Sequence, residues 1–256
     1  TTITALEYGI RFDGNTDNYG ITVKNNNVTA VQPFIVRKMT GKNNTITLEG
    51  ENTLTTEKEY QIVITNGSDD EAYVKPTGTY TLTGADDYIV YPVVLVKTAD
   101  ELIAALEQGM NVHFLNDIKI EPAKMSNAYG ATGINVKYGQ TINGAGYTLN
   151  IQGAGGTWDS GINTTGGVIR NITVTGSFRG IFINHNSTYS EKVVLENVTL
   201  TDVVYTISCD QGLYQGIEAT NCTFNGWTSF AKTAGEAKFV NCNFGVGSGY
   251  KYCRPY

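Results

Sequence analysis

Apolar and polar positions alternate most sharply between Gly167 and Phe244, where one eight-residue pattern occurs four times. It reads Gly-Val-Ile-Arg-Asn-Ile-Thr-Val from Gly167, Val-Val-Leu-Glu-Asn-Val-Thr-Leu from Val193, Ile-Glu-Ala-Thr-Asn-Cys-Thr-Phe from Ile217 and Ala-Lys-Phe-Val-Asn-Cys-Asn-Phe from Ala237. The shared Asn171, Asn197, Asn221 and Asn241 follow one another at 26, 24 and 20 residues. Two and four positions before each Asn the residue is apolar or small. One and three positions after it the residue is apolar. Strand side chains alternate with period two, so the phase slips at the Asn. A corner between two strands facing one core does this, and Asn accepts the left-handed backbone of a sharp bend. Repeated at this period, the pattern predicts a parallel β-helix solenoid. The four amides then stack as an asparagine ladder, with the corner residues expected to be buried.

The same reading extends upstream. Val112, Phe114, Ile118 and Ile120 build one rung, and Ile134, Val136, Ile142, Leu149 and Ile151 the next, with loops at 124–130 and 153–161. The further strand of each coil is expected at Gly180-Ile-Phe-Ile, Tyr205-Thr-Ile-Ser-Cys, Ser229-Phe-Ala-Lys and Tyr250-Lys-Tyr-Cys. Residues 98–109 predict a short helix that caps the first coil. Thr98 and Glu101 make a capping box, Leu102, Ile103 and Leu106 form one apolar face, and Gly109 ends it. Strand-like ending at Tyr250–Tyr256 leads to the expectation that the parent chain continues or another subunit covers this end.

Residues 1–90 read differently. Short runs such as Gly20–Val23, Val28–Val36, Thr45–Leu48, Tyr60–Thr65, Ala72–Val74 and Thr79–Leu82 are separated by Asn, Gly and Asp turns, without an evident Asn-corner repeat. That spacing predicts a separate small antiparallel sandwich or barrel serving as an attachment domain. The expected organisation is therefore all-β: residues 1–90, then a solenoid over 97–256.

The Asn-Val-Thr-Leu and Asn-Cys-Thr-Phe corners, with Thr-Ile-Asn-Gly-Ala-Gly-Tyr-Thr-Leu at 141–149, resemble the right-handed parallel β-helix proteins of the pectate-lyase-like superfamily. The resemblance covers residues 97–256 and implies right-handed coiling. It is specific for fold and poor for function. The superfamily holds polysaccharide lyases, glycoside hydrolases, phage tailspikes and surface proteins without known activity.

Composition narrows the partners. Charged residues are 16% and the net charge is −6, with no Lys/Arg cluster, which argues against nucleic acid and anionic membrane. No apolar run approaches a membrane span. Cys222 and Cys242 share one column of the repeat, and Cys209 and Cys253 another. The second pair lies two coils apart, about 10 Å at the strand spacing, beyond disulfide reach. Free, buried thiols are expected.

Candidate chemistry is thin. His113 reads as structural, and His185, at a strand end, as exposed. No serine-hydrolase elbow, phosphate loop or zinc signature is present. Outward carboxylates are expected at Asp159, Glu196, Asp202, Asp210 and Glu218. The resemblance implies two enzymatic options: paired acids from adjacent coils, or a carboxylate-held calcium with Arg or Lys as base. Asp202, Asp210, His185 and Arg179 are the fallback catalytic set, although the superfamily's doubled-Asp and Gly-His-Gly signatures are missing. Calcium belongs to that alternative alone; otherwise no metal or cofactor is expected. Trp158, Tyr189, Tyr205, Tyr214 and Trp227 fall in loops or at strand ends and are candidates for stacking on sugars.

The expectation is a non-enzymatic extracellular recognition protein, either a phage virion appendage or a bacterial surface adhesin, with a lean to the virion. Its partners would be carbohydrate or cell-surface and virion proteins, and a homotrimer would suit an appendage. The alternative is a polysaccharide lyase or glycosidase.

Overall fold

The computed structural model describes residues 1–58, 60–67, 76–85, 87–128, 131–151, 159–185, 190–209, 213–230, 235–247 and 254–255. The chain divides into two compact units, Thr1–Val93 and Val94–Tyr256.

The first unit is a solenoid, not an antiparallel sandwich. Its first coil runs through β1 (Thr2–Thr4), β2 (Tyr8–Asp13) and β3 (Gly20–Lys24). The second runs through β4 (Asn27–Thr29), β5 (Gln32–Arg37) and β6 (Asn44–Glu49), and the third through β7 (Thr53–Thr55), β8 (Ile62–Ile64) and β9 (Tyr80–Thr83). β10 (Val90–Tyr91) adds to the middle wall. Three sheets result, β1-β4-β7, β2-β5-β8-β10 and β3-β6-β9, each parallel throughout. Strands adjacent in sequence do not pair; each finds its partner one coil later. Turn-dense sequence alone cannot separate that arrangement from hairpins. Register can: Ile3 lies beside Val28 and Val28 beside Leu54, and Ile21 beside Ile46 and Ile46 beside Leu82. Those residues, with Phe34, Val36, Ile62 and Ile64, fill the core.

The corners of this unit are also left-handed, but varied in residue. Asn25, Gly50 and Gly84 have φ of 52°, 65° and 70°, and Asn18 and Asn43 have 55° and 56°. The Asn43 amide donates to Asn18 Oδ1 at 3.4 Å. An Asn-corner repeat therefore exists here as well, diluted by Gly. The proposed strand at Ala72–Val74 lies outside the described residues.

The second unit begins with β11 (Val94–Val96), followed by α1 (Ala99–Glu107). Thr98 Oγ1 accepts from the Glu101 amide, and Glu101 accepts from the Thr98 amide, closing the capping box. Leu102 and Leu106 are buried in the solenoid core, while Ile103 is only partly buried against it.

The coils then proceed through β12 (Val112–Phe114), β13 (Ile118–Ile120), β14 (Ser126–Ala128), β15 (Ala131–Val136), β16 (Thr141–Asn143), β17 (Thr148–Ile151) and β18 (Ser160–Thr164). Next come β19 (Gly167–Thr175), β20 (Arg179–Ile183), β21 (Val193–Leu200), β22 (Tyr205–Cys209), β23 (Ile217–Thr220), β24 (Thr223–Asn225) and β25 (Trp227–Phe230). β26 (Ala237–Val240), β27 (Asn243–Gly245) and β28 (Arg254–Pro255) complete the described strands. The expected strand at Tyr250–Cys253 lies outside them.

Three walls form. The first runs β11-β12-β16-β19-β21-β23-β26. The second joins β13, β17, the later halves of β19 and β21, β24 and β27. The third runs β14-β15-β18-β20-β22-β25-β28. Among the described strands, only the β14–β15 pair is antiparallel.

Asn171, Asn197, Asn221 and Asn241 mark the corner between the first and second walls, with φ of 51°, 51°, 55° and 52°. The ladder begins one coil earlier than the motif shows. Asn171 Nδ2 donates to Asn143 Oδ1 at 3.3 Å, and Asn197 Nδ2 to Asn171 Oδ1 at 3.0 Å. The corner residues are not buried: Asn171 is half-buried and Asn197, Asn221 and Asn241 are exposed. In a left-handed corner the Cα–Cβ bond swings away from the core, so the amides lie along an outer edge.

Candidate recognition surface

The third wall is built by a second phase slip. Gly161–Ile162, Gly180–Ile181 and Thr206–Ile207 each turn two consecutive residues inward. A Cβ on Gly180 would stand 3.3 Å from the Leu200 methyls, and Ile162, Ile181 and Ile207 are fully buried core residues. The residues on either side consequently point away from the core, but Ser160, Arg179, Asn163, Phe182 and Ser208 are themselves buried, and Asn135, Tyr205, Trp227 and Ser229 are the part-exposed members. One outward column stacks Ser160, Arg179, Tyr205 and Trp227 in register. The other stacks Asn135, Asn163, Phe182, Ser208 and Ser229.

Tyr205 lies on Trp227 with ring centroids 5.1 Å apart and planes 19° from parallel. Phe178 flanks Tyr205 at 5.6 Å. The Arg179 guanidinium sits 4.3 Å over the Phe182 ring and is only 3% exposed. A desolvated contact of that kind contributes about 2 kcal/mol. In the second column, Asn163 Nδ2 donates to Asn135 Oδ1 at 3.1 Å. Stacking consumes ring faces: Tyr205 has Phe178 on one side and Trp227 on the other. Both stacked rings are part-exposed. Tyr214 is 47% exposed. Trp158 and Tyr189 lie outside the described residues.

The described members of the fallback catalytic set lie on separate elements. Asp202 is exposed at a corner with φ 53°, and its carbonyl accepts from the Gly176 amide at 3.2 Å. Arg179 opens β20, whereas His185 lies two residues beyond the end of that strand. His185 is 2% exposed rather than a surface residue. Burial lowers its pKa, against a bond with the Glu191 backbone. Asp210 lies outside the described residues. His113 is half-buried, its pKa lowered by burial and then by the Arg170 charge.

The other outward carboxylates have structural surroundings. Glu218 lies between Lys238 at 2.7 Å and Lys192 at 3.5 Å, which hold its pKa down, Lys238 most. Glu196 stands in register beside Arg170. Asp159 is half-buried, and its carbonyl accepts from the Arg179 amide at 2.9 Å.

Cys209, Cys222 and Cys242 are free. Cys222 is buried in the core, and burial pushes its thiol up to about 11, so it is inert at neutral pH. Cys253 lies outside the described residues.

Residues 93–207 match the profile of a family described as "Putative pectate lyase-like adhesive domain". The match supports the pectate-lyase-like superfamily for this part of the chain. The match ends inside β22, so Tyr214 and Trp227 lie beyond it. No curated protein and no solved structure matches the chain. An adhesive pectate-lyase-like domain points to an adhesin-like role at a surface. The third wall of this pectate-lyase-like solenoid carries no outward carboxylate among its described strands. Among the described residues, no group of three or more His, Cys, Asp and Glu is placed to hold a metal ion.

Sequence reasoning missed the part-exposed Asn135, Phe178 and Ser229 on this wall, and the burial of Asn163, Phe182 and Ser208 beside them. The signal was available in the phase of the third-wall strands. Once Gly-Ile is recognised as a double inward step, the next residue must point out.

Proposed function

We propose that the chain is a non-enzymatic adhesive module of a cell exterior that recognises carbohydrate on the third wall of its C-terminal solenoid. The observation that carries this reading is the adhesive-domain match over residues 93–207. The wall's chemistry supports it: the part-exposed hydroxyl of Ser229 lies in the column next to the Tyr205–Trp227 stack, and the part-exposed amide of Asn135 lies in the same column three strands before Tyr205. Such groups suit the hydroxyls and C–H faces of sugars. The part-exposed Tyr205 and Trp227 rings and Tyr214 would make the apolar contacts.

The test is binding of the full chain to an array of neutral and acidic glycans, repeated with Tyr205→Ala and Trp227→Ala. Each variant is expected to weaken binding roughly 30-fold, about 2 kcal/mol. Binding unchanged in both would remove the third wall from the reading. The same preparations should release no reducing ends and no unsaturated product from a polysaccharide panel, with or without calcium. Product above a heat-killed control would establish an enzyme instead.

A further inference from the structure

The second wall of the C-terminal unit carries a regular two-dimensional array that the adhesive reading does not use. Its strands read Thr-Leu-Asn at 148–150, Thr-Val-Thr at 173–175, Thr-Leu-Thr at 199–201 and Thr-Phe-Asn at 223–225. Thr148 is in register with Thr173, Thr173 with Thr199, and Thr199 with Thr223. The central Leu149, Val174, Leu200 and Phe224 are fully buried, so the flanking residues of every row face outward, and all of those are part-exposed. Rows repeat at about 4.8 Å and columns at about 6.6 Å, the spacings of a parallel sheet. The corner amides of Asn171 and Asn197 extend the array by a third column. None of these positions is charged or aromatic; the exposed Lys119 of β13, in register with Asn150, bounds the array at one end.

The motif recurs in the first unit. There Thr-Ile-Thr at 2–4, Asn-Val-Thr at 27–29 and Thr-Leu-Thr at 53–55 stack in register, and all six outward residues are exposed. A strand-forming preference for Thr explains single threonines. It does not explain uncharged pairs at both outward positions of successive rows in two separate units.

The absence of charge within the four rows rules against a mineral face, which needs carboxylates or cations. The absence of aromatic rings rules against a crystalline polysaccharide, whose flat chains are held by ring stacking. A fixed net of hydroxyls and methyls instead orders water at its own spacing. Water oxygens on the prism faces of ice form a rectangular net of similar edge lengths. A rigid sheet holds the hydroxyls in place, so little ordering is lost on contact. We propose that these four rows of the second wall form an ice-binding face. This is independent of the carbohydrate reading.

The experiment is partition of the full chain into a slowly grown ice ball, with inhibition of ice recrystallisation measured in parallel. Wild-type protein should enter ice several-fold above an albumin control. Thr199→Lys, in the middle of the array, should fall to the control level. Thr220→Lys, on the first wall, should behave as wild type. Thermal melts report folding; should Thr199→Lys fail to fold, Thr199→Ser is read instead, with a several-fold loss expected. Wild-type partition at the albumin level, or partition unaffected by substitution at Thr199, would overturn the proposal. Retention on microcrystalline cellulose or chitin that is lost in the Thr199 variant, without entry into ice, would overturn it in favour of a polysaccharide.

Discussion

The two units solve one problem with different degrees of sequence regularity. Both are stacks of short parallel strands around an apolar core, and both turn their corners with left-handed residues. In the C-terminal unit one corner is Asn in four successive repeats, and the flanking eight residues keep their phase. In the N-terminal unit one left-handed corner column is Asn25, Gly50 and Gly84. Its third coil is also longer: Lys24 of the first coil lies beside Glu49, but Thr47 of the second lies beside Thr83, a step of 36 residues rather than 25. The lesson is that a solenoid requires a recurring inward position and a tolerated corner, not a recurring motif. Glycine and asparagine both meet the corner's demand, so the corner can vary without the coil changing.

Core truncation should separate the units most strongly. Phe34→Ala and Phe224→Ala each remove a fully buried ring, at an expected cost of about 3–5 kcal/mol. Hydrogen exchange would show whether lost protection stays within residues 1–93 for the first and within 94–256 for the second. Loss spread evenly over both would contradict their treatment as separate units.

The corner comparison comes next. Asn197→Ala places an ordinary side chain at φ 51° and removes the amide that donates to Asn171. It should cost about 1–2 kcal/mol, and Asn197→Gly should cost less. Gly50→Ala, at φ 65°, also puts its Cβ 2.1 Å from Asn25 Oδ1. It should exceed Asn197→Ala in a urea titration. An equal cost would mean that the Asn25 side chain simply moves aside.

Among the described residues, the α-helix belongs to the C-terminal unit. Thr98→Ala removes the acceptor for the Glu101 amide and should lower stability by about 1 kcal/mol, seen as a lower urea midpoint for the C-terminal unit.

Smallest is the response to pH, and it too divides the molecule. Both histidines, His113 and His185, are in the C-terminal unit, and burial is the first cause of the lowered pKa of each. Their neutral forms are favoured in the fold. Their contribution is complete above the unfolded value of about 6.5 and is lost as pH falls below it toward the folded values. The N-terminal unit has no histidine. Its Asp13 is held below the ordinary carboxylate range, first by the Lys38 bond and then by Arg37. That contribution is present above about pH 4 and is lost only below it. Urea midpoints between pH 7.5 and 5 should therefore fall for the C-terminal unit and stay level for the other. His185→Gln should flatten the slope; an unchanged slope would assign it elsewhere.

The sequence by itself determined the C-terminal solenoid, because a period-two pattern with a fixed phase slip has one geometric solution. Thr98 with Glu101 likewise determined the helix start, a contact between residues three apart. Tertiary structure alone decided the rest. That residues 1–93 coil in parallel depends on pairing across about 25 positions, which local turn chemistry does not encode. That the corner amides lie outside, that His185 is buried and that Tyr205 spends its ring faces on Phe178 and Trp227 all depend on what the neighbouring coil presents. Side-chain direction follows from a strand's own phase, but burial and free ring faces are properties of the stack.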